Sequence, residues 1–418
     1  MGLSTACALA STGRKVTLLD AAHPIRGSWG VTRASHFRME DPTLLHMGLY
    51  SSKYWKQLQK EYQAEAQRSP ELKAEDAYFY HCTGSAMAGP AEQIENLAAC
   101  VKRELGDLPE AQHETLSARE AQQRFPQLKL DGDERLIYMP IGFTMLVDNC
   151  MAALHWSASR AGVEIIEDTV TSIDCGKREL RTEGGRRFFF SQLVITAGPW
   201  TNQVLSKAGL PGVPMIVSNE QTLELVPKPG AASYDWDVFP LFTWSEAGYK
   251  GRGKDGGCEY YYTTPHVTHP GVPSEGVKIG FHRQGPLLNS EEFQVTSSGK
   301  EAVGKLPHIR KELQSEQEFK LDSFALSKVQ EFVRKKMPGL NEQHASYMRC
   351  LYQCTPDLQM ILGRHPTDAS VVFACGFSGS GFQFAPAIAD VLTALVDDKL
   401  SERHLKILKK YDPRRFAR

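Results

Sequence analysis

Gly2-Leu-Ser-Thr-Ala-Cys-Ala-Leu-Ala-Ser-Thr-Gly13, followed by Lys15-Val-Thr-Leu-Leu-Asp20, decides the fold. The small side chains of Gly2 to Thr12 suit a helix packed closely on a sheet, and Gly13 ends it. Lys15 to Asp20 is an apolar run closed by an acid, so the two segments read as the helix and second strand of a βαβ unit. In a dinucleotide-binding unit, glycines after the first strand bring the backbone up to a pyrophosphate, and an acid at the end of the second strand takes the ribose hydroxyls. Gly2 stands where the last glycine of GxGxxG would be, and Asp20 where the ribose acid would be. A small-residue helix before a strand ending in Asp is also ordinary packing, so this pair alone leaves both readings open.

The rest of the chain narrows the choice. At ~100–200 residues per domain, 418 residues predict two or three domains. Forty-eight Lys and Arg against forty-nine Asp and Glu leave no electrostatic footprint for nucleic acid or an anionic membrane. The partner expected is a small molecule. No apolar run approaches the ~18 residues of a membrane span, and the apolar start lacks a basic flank, so it reads as helix and not as a signal peptide. Nine cysteines without a CxxC pair argue for a reducing compartment and against a disulfide framework or a metal site.

Alternation of helical and strand-like segments gives the class α/β. Helices are predicted near Leu44–Glu61, Leu146–Ala161 and Pro386–Val396, with polar helical material from Ala91 to Phe125. Strands are predicted at Tyr78–Met87, Val163–Glu167, Val170–Ile173, Arg186–Phe190, Leu193–Thr196 and Val371–Ala374. Between about Pro211 and Val303 the composition shifts to Pro, Gly, Tyr and Phe, with strands at Gln221–Val226, Glu259–Thr263 and Val277–Phe281. The expectation is a discontinuous Rossmann-like nucleotide domain (1–75, 140–210 and 340–418) with an inserted β-rich α+β substrate domain (76–139 and 211–339). Gly376-Phe-Ser-Gly-Ser-Gly-Phe382 follows a strand and precedes a helix, so several backbone N–H groups could turn toward a ligand. With Asp20, Arg33 and Ala197-Gly198 it outlines a cleft at strand ends.

Several stretches then resemble the monomeric sarcosine oxidase and peroxisomal sarcosine/pipecolate oxidase family of FAD-dependent amine oxidases. They are Gly27-Ser-Trp-Gly-Val-Thr-Arg33, Leu193-Val-Ile-Thr-Ala-Gly-Pro-Trp-Thr-Asn202, Lys278-Ile-Gly-Phe-His282, Cys350-Leu-Tyr-Gln-Cys-Thr-Pro-Asp357, Ile361-Leu-Gly-Arg-His-Pro366 and the glycine cluster. The resemblance implies FAD held by Gly2, Asp20, Gly27, Ser28, Val170, Ala197, Gly198, Trp200, Gly376, Phe377, Ser378, Gly379, Gly381 and Phe382. It places Cys350 where the flavin is attached through a thioether, with a buried core cysteine as the alternative. Lys278 stands where a lysine promotes reaction with oxygen, because a cation stabilises the negative charge built on O₂; a solvated strand-end lysine is the alternative. His282 matches an active-site histidine, or else a core histidine. In an extended strand residues 278 and 282 share a face. Arg33 matches an arginine beside the flavin ring, against a surface arginine.

Two departures bear on substrate. The family holds a substrate carboxylate with an arginine three positions after the one matching Arg33 and a lysine after the glycine-cluster phenylalanine. Here those places hold His36 and Gln383, with Arg38 a candidate substitute. Loss of a charge-assisted bond costs about 1.5–3 kcal/mol, so a larger or less acidic secondary amine than sarcosine is expected. The resemblance also implies a first strand and two leading glycines that would precede Gly2. Five or six buried strand residues represent on the order of 10 kcal/mol, so an upstream start is the expectation, and the chain as written is expected to purify with little flavin.

The activity implied is oxidation of an N-methyl or cyclic amino acid, the C–H beside nitrogen giving a hydride equivalent to the flavin and O₂ leaving as hydrogen peroxide. The rivals are an amine dehydrogenase that passes electrons to a carrier and a non-catalytic binding relative. A monomer is expected. Phe416-Ala-Arg418 is not a peroxisomal tripeptide, so the expected compartment is the cytoplasm, although relatives can be peroxisomal.

Overall fold

The computed structural model describes residues 1–21, 30–36, 41–246, 259–285, 287–288 and 321–416. Gly2–Ser11 is a helix, and Thr17–Asp20 is a strand in parallel pairing with Glu164–Glu167, Leu18 opposite Ile165. Leu193–Ile195 runs parallel to Asp368–Cys375, which turns back antiparallel onto Ile361–His365. These two parallel pieces are not hydrogen-bonded to one another among the described residues. Helix Gly2–Ser11 lies against helices Ala385–Val396 and Val147–Arg160. A methyl group on Gly2 would come within 3.2 Å of Leu18 Cδ1 and 3.3 Å of Thr196 Oγ1, so a glycine there lets the helix approach both pieces.

A nine-stranded sheet forms the second body. Ile216–Pro227 is its spine, with Val277–Phe281 antiparallel on one edge and Leu340–Cys354 antiparallel along the other. Alternation splits this sheet into two faces. Leu223, Leu225, Tyr261, Val277, Ile279 and Phe281 pack with Phe332 and Val333 of helix Ser323–Lys336. Thr222, Tyr262 and Lys278 line the cavity on the opposite face. The expected boundary at residue 340 falls on the first residue of Leu340–Cys354, which by its hydrogen bonds joins this sheet. In a small sheet of Thr32–Ser35, Phe143–Leu146 and Tyr80–Cys82, the first strand contacts Tyr260–Thr264 of the large sheet and the second contacts helix Val147–Arg160.

The mixed α/β class is as the sequence predicts. Helix Pro42–Ala66 runs past the expected bounds at both ends; it starts at Pro42 because the Asp41 side chain caps it, accepting from Thr43 N at 3.0 Å, with Pro42 in the first turn. Two expectations need correction. Tyr78–Met87 is two strands, Tyr80–Cys82 and Ser85–Pro90, because Gly84 adopts φ 73° between them. Ala91–Phe125 is not continuously helical: helix Ala91–Leu105 stops at Gly106, and strand Glu114–Ser117 precedes helix Ala118–Arg124.

Candidate active site

A cavity of about 1220 Å³ runs from Asp20 and Glu167, between Thr17–Leu19 and Leu193–Thr196, to Lys278, His282 and Cys350 under the nine-stranded sheet. Pockets for drug-sized molecules hold about 300–1,000 Å³, so this space suits a larger ligand. Gly2, Asp20, Arg33, His36, Val170, Ala197, Gly198, Trp200, Lys278, His282, Cys350, Phe377, Gly379, Gly381, Phe382 and Gln383 all line it. Gly27, Ser28 and Arg38 lie outside the described residues.

Gly376 and Ser378 do not line it, and the reason is visible in their amides. Gly376 N donates to Gln353 Oε1 at 2.9 Å and Ser378 N to Gln353 O at 2.9 Å, so two N–H groups of the glycine cluster are spent on the neighbouring strand. Gly376 and Gly379 both have positive φ, 69° and 87°. A methyl group on Gly379 would lie 2.2 Å from the Tyr352 ring, so the glycine admits that ring against the loop. Phe382 stacks on Trp55 with centroids 5.9 Å apart and planes 6° apart, and Trp55 Nε1 donates to Gln383 O.

Lys278 and Cys350 straddle the spine strand, opposite Glu224 and Glu220 in register. Lys278 is buried, not solvated, and its ammonium donates to the Thr32 carbonyl, joining the large sheet to the small one. Burial first, and then the charge of Arg33, lower its pKa to about 7; Glu224 and Cys350 pull the other way. Burial pushes the Cys350 thiol up to about 11, against the opposing influence of Arg33 and Lys278. His282 lies one residue past the end of Val277–Phe281, not within it, so the shared-strand argument for 278 and 282 is replaced by a turn, with Arg283 at φ 60°. Both side chains still reach the same cavity.

Three phenols surround His282, with ring centroids at 5.2 Å for Tyr260, 5.8 Å for Tyr262 and 5.6 Å for Tyr352. The Tyr262 and Tyr352 hydroxyls are 3.3 Å apart, and burial raises both phenols above the ordinary range. Sequence reasoning did not single out these tyrosines as site residues. The signal was alternation: Tyr352 is two residues from Cys350, and Tyr260 and Tyr262 are two apart on one strand. It also missed Gln353 and Glu220. Glu220 accepts from Gln284 N and Gly285 N at 3.1 and 2.9 Å, which fixes the turn after His282.

The donor set fits a flavin dinucleotide on structural grounds. The cavity offers an acid at the end of a strand, a thiol and a cation at the other end, and close glycine backbone between them. Gln383 is 4% exposed and its Oε1 accepts no hydrogen bond among the described residues, so an acceptor is left for a ligand.

The pattern of the FAD dependent oxidoreductase family matches residues 1–395. The chain belongs to that family. As a member of the FAD dependent oxidoreductases it is 25% identical over 426 residues to a monomeric sarcosine oxidase of Streptomyces avermitilis, with 100% of this chain and 95% of that one covered. It is 27% identical over 328 residues to the human peroxisomal sarcosine oxidase, with 75% and 70% covered. Among solved structures, NikD, an unusual amino acid oxidase essential for nikkomycin biosynthesis, superposes with a TM-score of 0.66 at 18% identity, covering 96% of this chain and 92% of that one. L-proline dehydrogenase from P. horikoshii gives 0.69 at 18% identity, covering 99% and 94%. The FAD assignment therefore rests on the family, and the structural neighbours show the fold.

Proposed function

We propose that this FAD-dependent oxidoreductase is an oxidase of secondary amines, N-methyl or cyclic amino acids larger or less acidic than sarcosine, and that Cys350 tethers the flavin. The overall reaction would be R–NH–CH₃ + O₂ + H₂O giving R–NH₂, formaldehyde and H₂O₂, with the ring-carbon equivalent for a cyclic amine. FAD, when bound, supplies a two-electron acceptor for the C–H bond beside nitrogen. The observation that carries the reading is the placement of Lys278 and Cys350, buried on either side of one strand and opening on one cavity.

Asp20 would hold ribose hydroxyls, and Gly2, Ala197, Gly198 and Gly379 would let backbone approach the cofactor. Lys278, held by Thr32 O and opposed by the charge of Arg33, changes protonation near pH 7 and would put a cation where reduction of oxygen develops negative charge. Tyr260, Tyr262 and Tyr352 surround His282 and would form an aromatic seat for the amine. Gln383 offers a neutral hydrogen-bonding group at the cavity wall beside His36, which supports a weakly acidic substrate. The names of the sarcosine oxidase relatives support both the amine and the single-chain state.

The test is flavin-loaded protein exposed to a panel of N-methyl and cyclic amines. Peroxide formation in air, and bleaching of the flavin when oxygen is removed, are the expected results. A fully loaded protein whose flavin no amine bleaches would overturn the proposal.

A further inference from the structure

A second chamber of about 980 Å³ lies beyond Tyr260, His282, Phe377 and Ser380, which line both it and the first cavity. Its outer wall includes Gln93, Ala99 and Cys100 of helix Ala91–Leu105, none of which lines the first cavity. Gln93 Nε2 donates to Ser245 Oγ at 2.8 Å, while Gln93 Oε1 is buried and accepts no hydrogen bond among the described residues. A buried acceptor without a donor is costly, about 1–3 kcal/mol, and it suits a ligand that brings an N–H.

A dinucleotide held by Asp20 at one end and Cys350 at the other would fill the first cavity. The His282 end then borders the second chamber across a partition of aromatic rings. We infer that the second chamber is an antechamber that holds the amine, through Gln93 Oε1, before it passes Tyr260 and Phe377 to the Lys278 end. This rests on the amine oxidase reading above.

The experiment compares flavin-loaded wild type with Gln93→Trp and, on an exposed position of the same helix, Ala99→Trp. Anaerobic bleaching by an amine that turns over in wild type is followed by stopped flow. The expected result is a second-order rate lowered at least tenfold, with the rate at saturating amine and the bound flavin unchanged. In wild type, saturating amine should also slow alkylation of Cys100 by iodoacetamide at least fivefold, read by peptide mass, while exposed Cys82 is unaffected. If Gln93→Trp fails to fold, Ala99→Trp is read alone. Bleaching at an unchanged second-order rate with unprotected Cys100 overturns the antechamber and leaves the amine oxidase standing. Absence of bleaching by every amine overturns the amine reading and the antechamber with it.

Discussion

Arg283 Nε donates to the Ser378 carbonyl at 3.0 Å, and both residues hold left-handed backbone, φ 60° and 49°. Such conformations cost about 1–3 kcal/mol each in non-glycine residues, so the bond fastens two strained turns, the one after His282 and the one inside the glycine cluster. Arg283→Ala removes a charged donor from a buried carbonyl and is expected to lower stability by about 1–3 kcal/mol, measured by urea unfolding. Ser378→Gly should stay within about 1 kcal/mol of wild type, because relief of the backbone offsets the lost Oγ bond to Gly376 O.

Lys278→Met separates the two halves of the reaction. Reoxidation of the reduced, flavin-loaded enzyme by oxygen should slow by about 10²–10³-fold, while anaerobic bleaching by amine changes only a few-fold. Equal loss in both halves would show that Lys278 acts on the amine instead.

The same lysine makes stability depend on pH. Its pKa falls from 10.5 to about 7, so between those values the unfolded chain binds a proton that the folded chain does not. Stability therefore rises with pH across that window, and the cost of burying the charge is full below it. The melting-temperature advantage of Lys278→Met over wild type should be largest near pH 6 and shrink toward pH 10.

Cys350→Ser should leave flavin that acid precipitation releases from the polypeptide, against retained yellow peptide in wild type. Since the thiol is pushed up to about 11, the thiolate fraction grows about tenfold per pH unit below that value. Attachment to added FAD should accelerate accordingly from pH 7 to 9, followed by denaturing gel fluorescence.

Gln383→Lys should raise kcat/KM for carboxylate-bearing amines such as sarcosine by about ten- to a hundredfold, the worth of a charge-assisted bond at about 1.5–3 kcal/mol. It should lower it for neutral amines. A variant with unaltered preference would place substrate recognition elsewhere.

The helix and strand around Gly2 and Asp20 were legible because small residues and a terminal acid mark close packing at a sheet end. Lys278 and Cys350 were legible only through the family resemblance of the stretches that carry them, and the glycine cluster through its glycines between a strand and a helix. What the sequence hid depends on pairing. Nothing local to Leu340–Cys354 says that it runs antiparallel to Ile216–Pro227, so the ring of Tyr260, Tyr262 and Tyr352 around His282 exists only after four strands are set in register. The amides of Gly376 and Ser378 were expected to face a ligand for the same reason: Gln353, their acceptor, is brought to them by that long strand.

Leu340–Cys354 carries Met348, Cys350 and Tyr352 toward the cavity, while Leu351 also packs with Trp200 and Val217. Because side chains alternate along a strand, one residue deleted between Leu340 and Cys350 would put Leu351 where the thiol now faces the cavity. That stretch should therefore tolerate many substitutions in saturation mutagenesis but no change of length.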